Sequence, residues 1–192
     1  MGGTRYPFIE SILKEYTKPG MKVLEIGAGG AVYRDLFTDY VGTDLASTPY
    51  AKAGDIAAYC DGQQIPFKSE SFDMAFIVAA LYQIPDTDKV MSEIHRVLKA
   101  GGIFIIFDYN DKRTQYLKEH ENDGINQNHV WTQKQLKTLV QKHEFQAIII
   151  NHWRYFPSSG NSFKDNLFRN RISSKLRCNI FKDWNVIIGE KK

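Results

Sequence analysis

The sequence predicts an α/β fold in which a mostly parallel sheet carries helices on both faces. Short apolar strands alternate with amphipathic segments along the chain, and glycine-rich turns or acidic residues follow several strands. This alternation is typical of a doubly wound sheet, because parallel strands need a crossover connection, which is usually a helix. The chain has 192 residues, of which 43% are hydrophobic, and this is enough to bury the core of one domain.

The first half of the chain is predicted to contain two helices and four strands. Pro7 begins the first helix, since proline is favoured in a first helical turn and apolar residues recur after it at helical spacing. The first strand ends at Ile26, and a second helix is predicted over residues 32–37. The second crossover is expected to shrink to a turn around Pro49. Three further strands are predicted over 40–45, around a buried Cys60 and over 71–81.

The second half continues the alternation of helices and strands. Apolar residues at helical spacing predict a helix before the fifth strand, with Gly101 capping its end. Thr132 and Gln135 form the pattern of a capping box, in which each side chain bonds the other residue's backbone N–H at the start of a helix. Residues 146–151 and 184–189 are strand-like, and we expect them to pair antiparallel at one edge of the sheet.

The most informative stretch is VLEIGAGGA at 23–31, where an apolar strand meets a glycine-rich turn. Glycine lets the backbone turn tightly and approach a ligand closely, and nucleotide-type cofactors commonly bind there. A dinucleotide fingerprint requires a third glycine at position 32, which is Val32, and this argues against a dehydrogenase. Glu25 precedes the first glycine, and a carboxylate there favours a cationic ligand such as S-adenosylmethionine.

The segment VLEIGAGGAVY at 23–33 resembles the first motif of the class I S-adenosylmethionine-dependent methyltransferases, with Ala31 at the motif's last glycine. The resemblance is strong from Met21 to Asp108 and weaker to Trp153. It implies one Rossmann-like methyltransferase domain over residues 1–192, with a seven-stranded, mostly parallel sheet and an antiparallel edge hairpin. Further segments are similar to the family in order and spacing: YVGTDL at 40–45, CDGQQIPF at 60–67, SFD at 71–73 and HRVLKAGGIFII at 95–106.

The resemblance also implies which residues bind S-adenosylmethionine. The glycine-rich turn lets the backbone approach the cofactor closely, the acid after the second strand accepts from the ribose hydroxyls, and the acid after the third strand accepts from the adenine amino group. The residues that end the fourth strand border the methionine moiety. The predicted cofactor-binding residues are Glu25, Gly27, Ala28, Gly29, Asp44, Leu45, Asp61, Gly62, Ala79 and Ala80.

Each predicted acid also has a structural interpretation. Asp44 could cap a turn or a helix, and Asp61 precedes a glycine and could simply build a turn. Asp73 at the start of the fourth strand is predicted to fix a neighbouring loop, with no role in the site.

The candidate catalytic residues are Tyr82, Asp108 and His129, which follow the fourth and fifth strands or lie in the next loop. Methyl transfer from a sulfonium is an in-line displacement, so positioning supplies much of the rate and a base is needed only if the acceptor loses a proton. His129 can take up a proton near neutral pH, and its alternative is an exposed loop histidine. The spacings predict no metal site.

Residues 157–182 form the most individual part of the chain, a basic insert between the last two strands. Its six basic residues and one acid give a net charge of +5, whereas the whole protein carries +3. One interpretation is a lid or docking surface for an anionic substrate or an acidic membrane surface. The other is a solvated helix that covers the sheet edge.

Three functions remain open from the sequence. The leading one is methyl transfer to an oxygen or nitrogen of a small molecule such as a metabolite, sugar or lipid precursor, with the insert favouring anionic acceptors. The others are methylation of RNA or protein, and cofactor binding by a regulatory domain without turnover. Two widely separated cysteines, no apolar run long enough to span a membrane and no signal-peptide pattern predict a cytoplasmic protein.

Overall fold

The alternation of strands and helices is present in the structure, a computed structural model that describes residues 5–47, 56–120, 129–153 and 184–192. Two single-turn 3₁₀ helices, Arg34–Leu36 and Leu81–Gln83, supplement the regular elements. Those elements are α1 (Pro7–Tyr16), β1 (Lys22–Ile26), β2 (Asp39–Asp44), β3 (Ala58–Tyr59), β4 (Phe72–Val78), α2 (Thr87–Val97), β5 (Leu98–Tyr109), α3 (Asp111–His120), α4 (Gln133–Lys142), β6 (Phe145–Trp153) and β7 (Trp184–Lys191).

The strands form one seven-stranded sheet in the order β3-β2-β1-β4-β5-β7-β6. The first five strands in this order pair in parallel, and β7 is antiparallel to both β5 and β6. The predicted doubly wound fold and its antiparallel hairpin are therefore confirmed. The carboxyl ends of β1 to β5 and the amino end of β7 lie at one edge of the sheet, which we call the carboxyl edge.

Each face of the sheet has its own apolar core. On one face Leu24 and Ile26 pack with the buried sides of α2 and α4. On the other face Val23 packs with Ile9 and Leu13, which belong to the predicted apolar side of α1. Full burial of such side chains contributes about 1.5–3 kcal/mol each, so these two layers dominate the stability of the fold.

Two local predictions are confirmed by hydrogen bonds. Thr132 caps α4 through a reciprocal capping box, in which the Gln135 amide N–H donates to Thr132 Oγ1 and the Thr132 amide donates to Gln135 Oε1. Asp73 is structural, as predicted, because its carboxylate accepts from the Lys22 backbone N–H at 2.9 Å and from Lys99 Nζ at 2.7 Å. It thereby ties the beginning of β1 to the beginning of β5.

Three local predictions are wrong. Residues 32–37 form turns and the 3₁₀ helix, because barely two turns of chain separate the glycines from β2 and such a short helix is unstable. Gly101 does not cap α2, which already ends at Val97; it takes φ +70° where β5 shifts register against β4. Cys60 follows the two-residue strand β3 and is only half-buried.

The structure also contains an α-helix for which no prediction was made, and two of the predicted features cannot be compared with it. The sequence does not predict α3, whose ten residues are mostly polar and carry no clear apolar stripe. The turn expected around Pro49 and the basic insert at 157–182 lie outside the described residues. Across the part of the chain that the structure describes, every helix is too short or too polar to cross a membrane.

Candidate functional site

The glycine-rich turn after β1 is held against the end of β2. The amides of Gly27 and Ala28 both donate to the Thr43 carbonyl oxygen at 2.9 Å. Gly27 has φ +70°, and a Cβ added there would lie 2.6 Å from the Ala80 Cβ at the end of β4. Glycine is required at position 27 for both reasons, since other residues rarely adopt this conformation and the neighbouring chain leaves no space.

Ala31 follows the same turn and occupies the motif's last glycine position. Its φ of +48° lies in the left-handed region, which costs a residue with a Cβ roughly 1–2 kcal/mol. Gly29 has φ +53° in the same turn. The structure therefore keeps the backbone path that the glycine motif encodes, although alanine occupies its last position.

Asp44 at the end of β2 is bound to the glycine-rich turn. Its Oδ2 accepts from the Gly29 amide at 2.6 Å, and its Oδ1 accepts from the Leu45 amide at 2.7 Å. Burial raises the pKa of Asp44, and the two backbone bonds oppose that shift. The hydrogen bonds of Asp44 in the structure thus agree with the turn-capping interpretation. Binding of the ribose hydroxyls by Asp44 stays a prediction.

Asp61 and Gly62 follow β3 at the carboxyl edge. The Asp61 carboxylate is exposed and accepts from the Gln63 amide at 2.9 Å and from Gln63 Nε2 at 2.8 Å, which is the geometry of an Asx turn. Gly62 is buried, and a Cβ there would lie 3.0 Å from Ile26 Cγ2. Gly62 is therefore explained by packing beneath the end of β1, and contact of Asp61 with adenine remains a prediction.

The end of β4 is bent back toward β5. Ala79 takes φ +48°, its amide donates to the Phe107 carbonyl at 2.8 Å, and its own carbonyl accepts from Gln83 Nε2 at 3.0 Å. Ala80 follows and contacts Gly27 as described above. The methionine-side residues of the prediction therefore meet the glycine-rich turn across β1 and β4.

Glu25 is the buried acid of the site. Glu25 is only 2% exposed, and its Oε2 accepts a hydrogen bond from the Tyr40 hydroxyl. Burial raises the pKa of Glu25 to about 8; the bond from Tyr40 opposes this rise, and the nearby Asp44 carboxylate adds to it. A positive charge at this place would stabilise the ionised carboxylate.

The structure brings the three candidate catalytic residues together. Asp108 at the end of β5 is fully buried, and its carboxyl accepts from the amides of Tyr109 and Tyr82. The carbonyl of Tyr82 in turn accepts from the His129 amide at 3.0 Å. Burial raises the pKa of Asp108 to about 8, so the carboxyl is largely protonated at neutral pH.

His129 has one ring nitrogen committed to the backbone. Its Nε2 lies 2.9 Å from the Ile84 carbonyl oxygen and 3.1 Å from that of Pro85. Because carbonyl oxygens only accept, Nε2 carries the proton and Nδ1 is left as the basic nitrogen. The ring stacks on Trp131 with 4.9 Å between centroids. His129 is therefore half-buried and oriented, in contrast to a freely exposed loop histidine.

Comparison with known proteins agrees with this geometry. A sequence-family model described as a methyltransferase domain matches residues 24–106. An S-adenosylmethionine-dependent methyltransferase from Mesorhizobium loti superposes with a TM-score of 0.69 at 14% identity, covering 95% of this chain and 97% of that one. Residues 24–106 therefore match a methyltransferase domain, and the described residues have the fold of S-adenosylmethionine-dependent methyltransferases.

Other relatives of this methyltransferase domain act on varied acceptors. Sterol 24-C-methyltransferases are 30% identical over 73% of the chain in Debaryomyces hansenii and 35% identical over 48% in Gibberella zeae. The chain spans only 46% and 28% of these two relatives. A Haemonchus contortus phosphoethanolamine N-methyltransferase, solved with S-adenosylhomocysteine, has a TM-score of 0.65 at 24% identity and matches 94% of this chain and 51% of its own.

Two groups of residues at the site are not predicted by the sequence. One is Tyr40, whose hydroxyl donates to Glu25. Glu25 pairs with Gly42 on β2, and because side chains alternate along a strand, Tyr40 lies on the same face of the sheet as Gly42. The other is an aromatic cluster at the carboxyl edge, for which the sequence gives no local signal because its members are far apart in the chain. The aromatic cluster consists of Tyr6, Phe8, Tyr82, Tyr109 and Trp184.

Proposed function

We propose that this protein transfers the methyl group of S-adenosylmethionine to a small, lipid-like acceptor. The carrying observation is the aromatic cluster, which lies at the carboxyl edge beside the end of β4. Trp184 is its centre, with ring centroids 4.5 Å from Tyr109, 5.0 Å from Tyr6 and 5.7 Å from Phe8. Trp184 and Tyr82 are themselves buried, so the surface open to an acceptor is that of the half-buried Tyr6, Phe8 and Tyr109. Aromatic rings combine a large apolar area with polar tips, which suits a lipid with few polar groups.

The sterol methyltransferases among the relatives support the same class of acceptor. Their names specify transfer to carbon, whereas the acceptor atom predicted from the sequence is oxygen or nitrogen. A transfer to an alkene carbon develops positive charge on the acceptor, and the faces of aromatic rings stabilise cations. We therefore extend the proposed acceptor atom to carbon. The preference for anionic acceptors depends on the insert at 157–182 and stays a prediction.

The residues present fit the cofactor. Gly27 allows the tight turn that brings the backbone after β1 against Ala80 at the end of β4, and Asp44 offers a half-buried carboxylate beside this turn. Glu25 is a buried acid close to where a cation is expected, and a bound cation would favour its ionised form over the protonated one. S-adenosylmethionine supplies an activated methyl group, so the protein has to bind, orient and exclude water.

On the acceptor side, His129 is proposed to take the proton that the acceptor loses. Its Nε2 is held by two carbonyls, which leaves Nδ1 as the accepting atom. Tyr82 and Asp108 are proposed to hold His129 in position, since they form a chain from the β5 end to the His129 amide.

Calorimetric titration with S-adenosylmethionine tests the cofactor assignment. We expect micromolar affinity, and Asp44→Ala should weaken binding by about 1–3 kcal/mol because charged acceptors of the ribose hydroxyls are lost. Asp39→Ala is the matched control, since Asp39 is exposed at the opposite end of the same strand. Equal affinities for the wild type and Asp44→Ala would remove Asp44 from the cofactor site.

Turnover is tested by supplying S-adenosylmethionine with a panel of sterols, quinols and phospholipid precursors and measuring S-adenosylhomocysteine formation. Methylation of an apolar acceptor, lost in His129→Ala, would support the proposal. Methylation restricted to RNA or protein, or cofactor binding without turnover on any acceptor, would favour the two alternatives that the sequence left open.

A further inference from the structure

The buried Glu25 carboxyl has a hydroxyl partner but no counter-ion in the described part of the chain. It is 2% exposed, and the charged or polar groups that influence it are Tyr40, which donates to it, and the carboxylate of Asp44. The Tyr33 hydroxyl lies on the same face, is influenced electrostatically by Glu25 and accepts from the Tyr6 amide at 3.0 Å. An ionised carboxylate in such surroundings needs positive charge from elsewhere.

The bond from Tyr40 to Glu25 is built by two neighbouring strands. Glu25 on β1 pairs in register with Gly42 on β2, and Tyr40 precedes Gly42 by two residues on the same face. A Cβ at Gly42 would lie 2.8 Å from the Tyr40 hydroxyl oxygen. The missing side chain at position 42 thus leaves the space in which the Tyr40 hydroxyl reaches the acid.

The charge of the cofactor changes during the proposed reaction. S-adenosylmethionine carries a sulfonium, and transfer of its methyl group converts this sulfur to the neutral thioether of S-adenosylhomocysteine. The pair of electrons in the breaking S–CH₃ bond stays on sulfur, and the acceptor forms the new bond to the methyl carbon. Burial raises the pKa of Glu25 to about 8, so its carboxyl is largely protonated at neutral pH until a cation binds nearby and favours the ionised form. The ionised carboxylate interacts more strongly with the first ligand than with the second, because the interior screens charge poorly.

We infer that Tyr40 is a positioning residue that holds the Glu25 carboxylate beneath the glycine-rich turn, and that this pair makes the site prefer S-adenosylmethionine over S-adenosylhomocysteine. The inference rests on the proposed function, since it assumes that cofactor. Its consequence is that loss of the sulfonium charge weakens binding and favours release of the product.

The test is calorimetric titration of each ligand into the wild type, Tyr40→Phe and Glu25→Gln. In both variants the affinity for S-adenosylmethionine should fall about tenfold, while that for S-adenosylhomocysteine changes less than about twofold. Tyr33→Phe is the matched control: it removes a buried hydroxyl on the same face that binds a backbone amide in place of the acid. It should leave the ratio of the two affinities unchanged.

Two results would overturn the inference while leaving the cofactor assignment intact: equal losses for both ligands in Tyr40→Phe, or no loss for either. A wild type that binds neither ligand would refute the proposed function and the inference together. If Tyr40→Phe does not fold, Glu25→Gln decides the question, because the amide keeps the size of the side chain and can still accept from Tyr40.

Discussion

The clearest physical prediction concerns Asp108, which is fully buried at the end of β5. Its pKa is raised by burial from 3.8 to about 8, so the folded protein keeps this proton in a range where the unfolded chain loses it. Between about pH 4 and 8 the folded state therefore binds more protons, and stability falls as pH rises. The slope for one such group is up to about 1.4 kcal/mol per pH unit.

The surroundings of Asp108 agree with a protonated carboxyl. Its Oδ2 and the Oδ1 of Asn185 are buried without hydrogen-bond partners among the described residues. The two residues lie opposite each other in the β5–β7 register, and both are fully buried. A proton on Asp108 supplies the donor that two facing acceptors lack.

The perturbation is Asp108→Asn, which keeps the size of the side chain and the oxygen that accepts from Tyr82 and Tyr109, but cannot titrate. The free energy of unfolding of the wild type falls as pH rises between pH 5 and pH 7, whereas the asparagine contributes no such fall. The free energy of unfolding of the variant minus that of the wild type should therefore be about 2–3 kcal/mol larger at pH 7 than at pH 5. Urea unfolding at pH 5, 6 and 7, followed by circular dichroism, measures this difference.

Glu25 contributes a similar slope in both proteins, because its pKa is also raised to about 8, so the variant should keep part of the pH dependence. Asp39→Asn reports the effect of removing an exposed carboxyl. Parallel stability curves for Asp108→Asn and the wild type would refute the conclusion that the native carboxyl is protonated. In that case the native carboxyl of Asp108 would be ionised at neutral pH and could act as a base.

Three further predictions follow from local geometry. Gly27→Ala should abolish cofactor binding because of the contact with Ala80, whereas Gly20→Ala, also at positive φ but in open space, should cost only about 1–2 kcal/mol of stability and spare binding in calorimetry. Thr132→Ala should lower stability by about 1 kcal/mol in urea unfolding through loss of the capping box, and an unchanged midpoint would contradict the cap. Asp73→Ala should cost about 1–3 kcal/mol by leaving the Lys22 amide without its acceptor, with cofactor affinity unaltered.

Features with a local physical cause were predictable from the sequence. The glycine-rich turn was identified because a positive φ and a close approach of chains both demand glycine, as Gly27 illustrates. The capping box at Thr132 and the buried side of α1 were equally local, since each depends on residues within one or two turns of chain. The order of the segments then gave the sheet and its carboxyl edge.

Features that join distant parts of the chain were decided by the tertiary structure. The bond from Tyr40 to Glu25 depends on strand register, and the aromatic cluster gathers Tyr6 and Trp184 from opposite ends of the chain. The predicted helix over 32–37 failed because the distance to β2 left it too few residues, a constraint that local propensity does not contain. The sequence by itself determined the fold and the cofactor turn, because short-range conformational preferences encode both. Burial and long-range packing determined which acids are protonated and which side chains meet at the site, because desolvation and contact exist only once the chain has folded.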